Sequence, residues 1–168
     1  MSSFEEMFSR YFGRVYKFAL KLTRSTEQAE DITQQTFYRA LEKINSFEGR
    51  SDVGTWLCSI AKNEYFDRCR RKKETAAEPG SRVFDGRVDD VALDIELEGQ
   101  RMQVHRHLHG LDEPYREVFM LRVFGELKYA QIASLFGRTE SWARVTYYRA
   151  KLEIQKRIEE EEHGKDQM

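Results

Sequence analysis

Phe4, Phe8, Tyr11, Phe12, Val15, Ala19 and Leu22 recur at spacings of three and four, which predicts a first helix with an aromatic-rich stripe on one side. Thr23-Arg24-Ser25-Thr26 breaks the pattern, and Ser25 or Thr26 can cap a second helix whose start carries Glu27, Glu30 and Asp31, acids placed where the helix dipole favours them. Its inner face reads as Ala29, Ile32, Phe37, Ala40, Leu41 and Ile44, and its outer face, with Asp31, Gln34, Gln35 and Tyr38, is polar and available to a partner. Asn45 to Asp52 reads as a loop. Ser51 or Asp52 then starts a third helix through Trp56, Leu57, Ile60, Ala61 and Phe66, with Trp56 expected in the core.

From Glu74 to Gly99 no apolar period is sustained, and the Pro79-Gly80 and Asp85-Gly86 pairs mark a connector. Beyond it, Asp112-Glu113-Pro114 offers a capping Asp and an early Pro for a helix running to Phe124 and ended by Gly125. Tyr129 to Phe136 form a short helix with Ile132, Ala133 and Leu135 inward, Gly137 turns the chain, and another helix runs from about Ser141 past Lys151. Ala133 stands four residues before Gly137. A small residue there lets two helices cross closely and glycine takes the positive φ of the turn, the arrangement of a helix-turn-helix. A plain helical hairpin has the same spacing. The expected fold is all-α, two small helical domains (1–73 and 101–168, the second ending in an acidic C-terminal tail) joined by a flexible acidic linker (74–100).

Composition agrees: of 168 residues 34% are charged and only two are proline, a balance of charged-face helices. The formal charge of −1 conceals a division along the chain, +4 over 1–73, −6 over 74–100, +5 over 101–158 and −4 over 159–168. Two basic blocks separated by an acidic connector fit two modules that meet a polyanion; an unevenly charged solvated surface gives the same figures. The third helix ends with five cations in six positions, Arg68, Arg70, Arg71, Lys72 and Lys73. That is more than a helix C-terminus needs, and with Phe47, Tyr65 and Phe66 nearby it matches the mixture that holds a single strand by phosphate pairing and base stacking. On the last helix, Arg144 and Arg149 can read guanine or grip phosphate, Thr139, Glu140 and Ser141 sit at its N-terminus, and Trp142 can pack or touch sugar.

Several classes are excluded. The longest unbroken apolar stretches are too short for a spanning helix, and the N-terminus lacks the basic-then-apolar order of a secretory signal, so no membrane insertion and a cytoplasmic location are expected. Cys58 and Cys69 suit neither a disulfide framework nor a zinc finger, and His105, His107 and His109 read as a polar helix surface rather than a metal site. No nucleophile elbow, phosphate-binding glycine loop or Cys/His pairing is present. The chain reads as a non-enzyme without metal, cofactor or small-molecule substrate.

At this point the residues match a family. The chain resembles the extracytoplasmic-function (ECF) sigma factors of the sigma-70 superfamily over nearly its whole length. "AEDITQQTF" (Ala29 to Phe37) is similar to A-E-D-x-x-Q-E-x-F, and "INSFEGRSDVGTWLCSIAKNEYFDRCRRKK" (Ile44 to Lys73) to the following S-F-x-G, T-W-L-x-x-I-A-x-N and D-x-x-R-R signatures. "LDEPYREVFMLRVFGELKYAQIASLFG" (Leu111 to Gly137) and "YRAKL" (Tyr148 to Leu152) resemble the L-P-x-x-Y-R-E-V, Y-x-x-I-A-x-x-x-G and R-A-x-x-L segments of the second module.

The resemblance implies that Asp31, Gln34, Gln35 and Tyr38 face the clamp helices of bacterial core RNA polymerase. It implies that Phe47, Asn63, Tyr65, Arg68, Arg70 and Arg71 meet the minus-10 strand, with Phe47 and Asn63 holding an extruded base. The recognition helix, with Arg138, Thr139, Glu140, Ser141, Trp142, Arg144, Val145, Tyr148 and Arg149, would enter the major groove of the minus-35 element, and an anti-sigma factor would control activity. By analogy the acidic connector would pass near the RNA path as a nucleic-acid mimic. Three departures stand out: Gln35 in place of Glu, Lys128 in place of a capping Ser so that Glu126 is expected to cap, and Trp142-Ala143 in place of a small residue and Val. A stand-alone helix-turn-helix regulator binding a palindrome as a dimer is the alternative, although no dimerising heptads support it.

Overall fold

The computed structural model describes residues 3–47, 49, 51–75 and 103–166, and every regular element among them is helical. They fall into two compact units, one on each side of residues 76–102. The connector and its expected path lie outside the described residues, except that Glu74 and Thr75 continue the third helix.

The first unit consists of α1 (Ser3–Thr23), α2 (Thr26–Lys43), a short 3-10 turn (Ile44–Ser46) and α3 (Val53–Thr75), packed pairwise around one core. Val15, Phe18, Ala19 and Leu22 of α1, Ala29, Ile32, Phe37 and Ala40 of α2, and Leu57, Ile60 and Ala61 of α3 fill it. Ser25 is the cap of α2, its hydroxyl accepting from the Gln28 N–H at 3.3 Å. Asp52 caps α3: its carboxylate accepts from the Thr55 N–H at 2.9 Å and the Thr55 hydroxyl at 2.8 Å.

The inner face of α2 differs from expectation in one respect. Leu41 is 49% exposed, and Thr33 and Thr36 lie in the core instead. Their hydroxyls donate back to the carbonyls of Ala29 and Ile32, each at 2.7 Å, so the polar atoms are satisfied inside the helix and only the methyl groups face outward to neighbours.

The second unit contains a helix described over residues 103–108 (α4), α5 (Tyr115–Val123), α6 (Tyr129–Phe136) and α7 (Glu140–Asp166). Leu108, Leu111, Val118, Met120, Leu121, Leu127, Ile132, Ala143, Ala150 and Ile154 form its core. Asp112 does not cap α5: Pro114 takes the N-cap position, where its missing N–H costs nothing, and no side chain caps the helix. Nor does Glu126 cap α6; it occupies the turn with φ 54°, and Lys128 is the N-cap. The Lys128 ammonium cannot accept, so the start of α6 is tied from the other side, by Gln131 Oε1 accepting from the Lys128 N–H at 2.8 Å.

Gly137 has φ 63°, and the chain leaves α6 through an Arg138 N–H bond to the Ala133 carbonyl at 3.0 Å, so the alanine and glycine act together in the turn. Two further expectations change here. His105 is buried, its ring 6.0 Å from that of Phe124 and 5.2 Å from that of His109, because it shares the inner face of α4 with Leu108. The acidic segment Glu159 to Glu162 is not a tail but the continuation of α7, and Glu161 meets His107 at 2.7 Å and Arg106 at 2.8 Å.

Candidate nucleic-acid and polymerase interfaces

On α2 the expected outer face is on the surface. Asp31, Gln34 and Tyr38 are exposed, Tyr38 at 57%, and Gln35 is half-buried; the neighbouring Leu41 adds an exposed apolar group. Two large apolar side chains beside two polar ones make a surface suited to a protein partner.

Phe47 follows the 3-10 turn in extended conformation, and its ring lies 4.7 Å from that of Trp56. Trp56 is therefore not a core residue but half-buried beneath Phe47. Positions 56, 63 and 70 are seven apart and share one face of α3, so the ring pair, the exposed Asn63 and the exposed Arg70 form a track about 20 Å long. Aromatic rings, an amide and a cation in line are what a single strand needs: a stacking platform, a base-edge reader and a phosphate partner.

The cations at the end of α3 are not equivalent. Arg70 pairs with Asp67. Arg68 and Arg71 turn toward Glu64, at 3.3 and 3.5 Å. Tyr65 is only 6% exposed and belongs to the core, its ring against Phe66; as folded it offers no face to a base, and of the two aromatics Phe66 has the partial exposure. Cys58, buried in the same helix, has its thiol pushed up to about 11 by burial and is chemically quiet.

In the second unit Thr139 caps α7, its hydroxyl accepting from the Trp142 N–H at 3.1 Å. Arg138, Glu140, Ser141, Arg144, Val145, Tyr148 and Arg149 are all exposed, while Ala143, Thr146 and Ala150 face inward, so the expected recognition residues share the outer side of one helix. Trp142 is half-buried: its ring packs 5.3 Å from that of Phe136 and lies beneath the Arg138 guanidinium at 5.6 Å. The indole thus joins the α6–α7 junction and raises Arg138 above it. Tyr129 supports Arg122 at 4.3 Å and Arg144 at 5.2 Å, and Arg144 also pairs with Glu140 at 3.3 Å. Tyr147, ringed by Phe119, Tyr129 and Tyr148, has its phenol pKa raised by burial and stays neutral.

Sequence reading missed Glu64, Arg39 and the Tyr129 platform. Glu64 stands four residues before Arg68 and seven before Arg71, a spacing that signals one helix face; its pairing with Arg39 of α2 has no local signal. Among the described residues no cluster of His, Cys, Asp and Glu could hold a metal ion, and no helix is long and apolar enough to cross a membrane.

Comparison with known proteins agrees with both units. Residues 7–75 match the family model "Sigma-70 region 2" and residues 101–154 match "Sigma-70, region 4". The chain is 29% identical over 163 residues to RNA polymerase sigma factor YlaC of Bacillus subtilis, covering 93% of this chain and 92% of the relative. To ECF RNA polymerase sigma factor SigM of the same organism it is 30% identical over 151 residues, covering 88% and 90%. Among solved structures, the sigma factor RpoE in complex with the anti-sigma factor NepR from Bartonella quintana aligns with a TM-score of 0.59 at 22% identity, over 95% of this chain and 98% of that one, which shows a shared fold. With a region 2 helical unit, a region 4 helix-turn-helix and relatives matched over most of their length, the chain belongs to the ECF sigma factors of the sigma-70 family, whose members are not enzymes.

Proposed function

We propose that this sigma factor works in the cytoplasm as a specificity subunit of bacterial core RNA polymerase, with residues 1–73 and 101–168 as its working domains and 74–100 as the connector. Asp31, Gln34, Gln35 and Tyr38 bind polymerase. Arg138 in the turn and the outer face of α7 through Arg149 read the minus-35 duplex; Phe47 and Asn63 hold an unstacked minus-10 base while Arg68, Arg70 and Arg71 meet phosphate. No covalent step is involved: strand opening is driven by the stacking, hydrogen bonds and phosphate contacts that the unpaired strand alone can make. An anti-sigma factor holds the free protein inactive, a reading supported by the complex that aligns with this chain.

The observation that carries the proposal is the placement of the Phe47–Trp56 ring pair, Asn63 and Arg70 on one face of α3. A regulator that binds only duplex DNA has no use for it. Run-off transcription from genomic fragments with bacterial core polymerase tests the reading: discrete new starts should appear only when the protein is added. Asn63→Ala should keep polymerase binding and lose open-complex formation. A folded protein that neither binds core polymerase nor directs any start, yet binds duplex DNA alone, would be a stand-alone regulator.

A further inference from the structure

Glu64 follows Asn63 on α3, and its side chain is only 2% exposed. One carboxylate oxygen lies 2.9 Å from Arg39 Nε of α2; the other lies 3.3 Å from Arg68 Nε and 3.5 Å from Arg71 Nη2. Arg68 also approaches Asp31 at 3.9 Å, and Arg71 Nε donates to the Asp67 carbonyl at 3.4 Å. Burying a carboxylate costs its hydration, and here Arg68 and Arg71 donate to one oxygen while Arg39 faces the other as an ion pair without a hydrogen bond.

The consequence lies in the chemistry of the partners. A guanidinium binds a carboxylate and a phosphate through the same N–H donors. Arg68 and Arg71 are thus engaged, before any DNA arrives, by a group that imitates what they are to bind. Arg70 differs, since its partner Asp67 is partly exposed and such surface pairs open at little cost.

We propose that Glu64 is an internal counter-anion that withholds Arg68 and Arg71 from nucleic acid, so that the basic end of α3 grips a strand only when its phosphates displace this carboxylate. Arg39, on a different helix, sets how strongly. As Arg39 carries more of the Glu64 charge, Arg68 and Arg71 are held less; Glu64 acts through them and is a positioning residue. The inference rests on the reading of α3 as a strand-binding surface.

The test uses the full chain and a single-stranded oligonucleotide, with affinity measured across a salt series. Glu64→Gln keeps the shape and removes the charge. It should bind more tightly than the wild type at every salt concentration, since the strand no longer has to displace a carboxylate. The exposed Glu30→Gln makes the same change of net charge and controls for it. Arg39→Gln should do the opposite, weakening binding more than its control, the exposed Lys17→Gln. A purely structural role moves Glu64→Gln and Arg39→Gln in the same direction.

A folded Glu64→Gln protein that binds no more tightly than Glu30→Gln overturns the proposal. If circular dichroism shows Glu64→Gln unfolded, Arg39→Gln decides alone: a loss beyond that of Lys17→Gln supports the proposal and an equal loss overturns it. The doubly substituted Arg68→Ala, Arg71→Ala chain separates the two levels. If its binding equals that of the wild type, the strand-binding reading of α3 has failed; if it falls while Glu64→Gln gives no gain, only the counter-anion has.

Discussion

The two units present cations in contrasting ways. In the first, Arg68 and Arg71 point at a buried carboxylate. In the second, Arg138 lies over the Trp142 ring and Arg144 over the Tyr129 ring. A carboxylate occupies guanidinium N–H donors and cancels charge; a ring supports the guanidinium plane from below and leaves the donors at its edge for another partner. The Glu140 partner of Arg144 is exposed and competes weakly. The difference suits the proposed tasks. A recognition helix should be ready to read duplex on encounter, whereas a strand-gripping surface that is partly neutralised until single-stranded DNA is present will not hold duplex at random.

The largest expected effect breaks the carboxylate arm. Replacing Arg39 and Arg68 together by Gln leaves the buried Glu64 with Arg71 alone, and urea unfolding should show a loss of about 3–5 kcal/mol, the cost of uncovering a buried charge. Adding Glu64→Gln to that protein should restore most of the loss, since the charge that needed covering is gone.

A smaller effect sharpens the ring-supported arm. Arg144→Ala should cost about 1–3 kcal/mol at one minus-35 base pair, measured by binding to a panel of single-base variants, if the guanidinium reads a base edge. An even weakening across the panel would assign it to phosphate.

The smallest concerns the far end of α7. The hydrogen bond from His107, with Arg106 and Lys165 beside it, holds the Glu161 carboxyl below the usual carboxylate range. A depressed acid stabilises the fold while ionised, so its contribution is present above the ordinary carboxylate pKa and is lost as pH falls through the lowered value. Hydrogen exchange along α4 and the end of α7 should stay protected at neutral pH and open in acid, and Glu161→Gln should abolish that acid dependence.

Much of the fold was legible because it rests on local rules. The caps Ser25 and Asp52, the α6 boundaries and the Ala133–Gly137 turn follow from what a short stretch of chain can do with its own backbone groups. The misread burials share one cause. Leu41 and Thr36 of α2, Trp56 and Tyr65 of α3, and His105 of α4 lie on faces whose burial depends on what the neighbouring helices supply. Periodicity gives the direction of a stripe and not its edges.

The candidate surfaces divide along the same line. Spacing along a helix placed Glu140 to Arg149 on one side of α7 and Asn63 and Arg70 on one side of α3, since a rise and a rotation per residue settle which positions align. Whether a given cation there is supported by a ring or held by an acid was decided by tertiary structure. Arg39 reaches Glu64 across 25 positions and Glu161 reaches His107 across 54, distances at which neither propensity nor periodicity acts and only the packing of helices brings charges together.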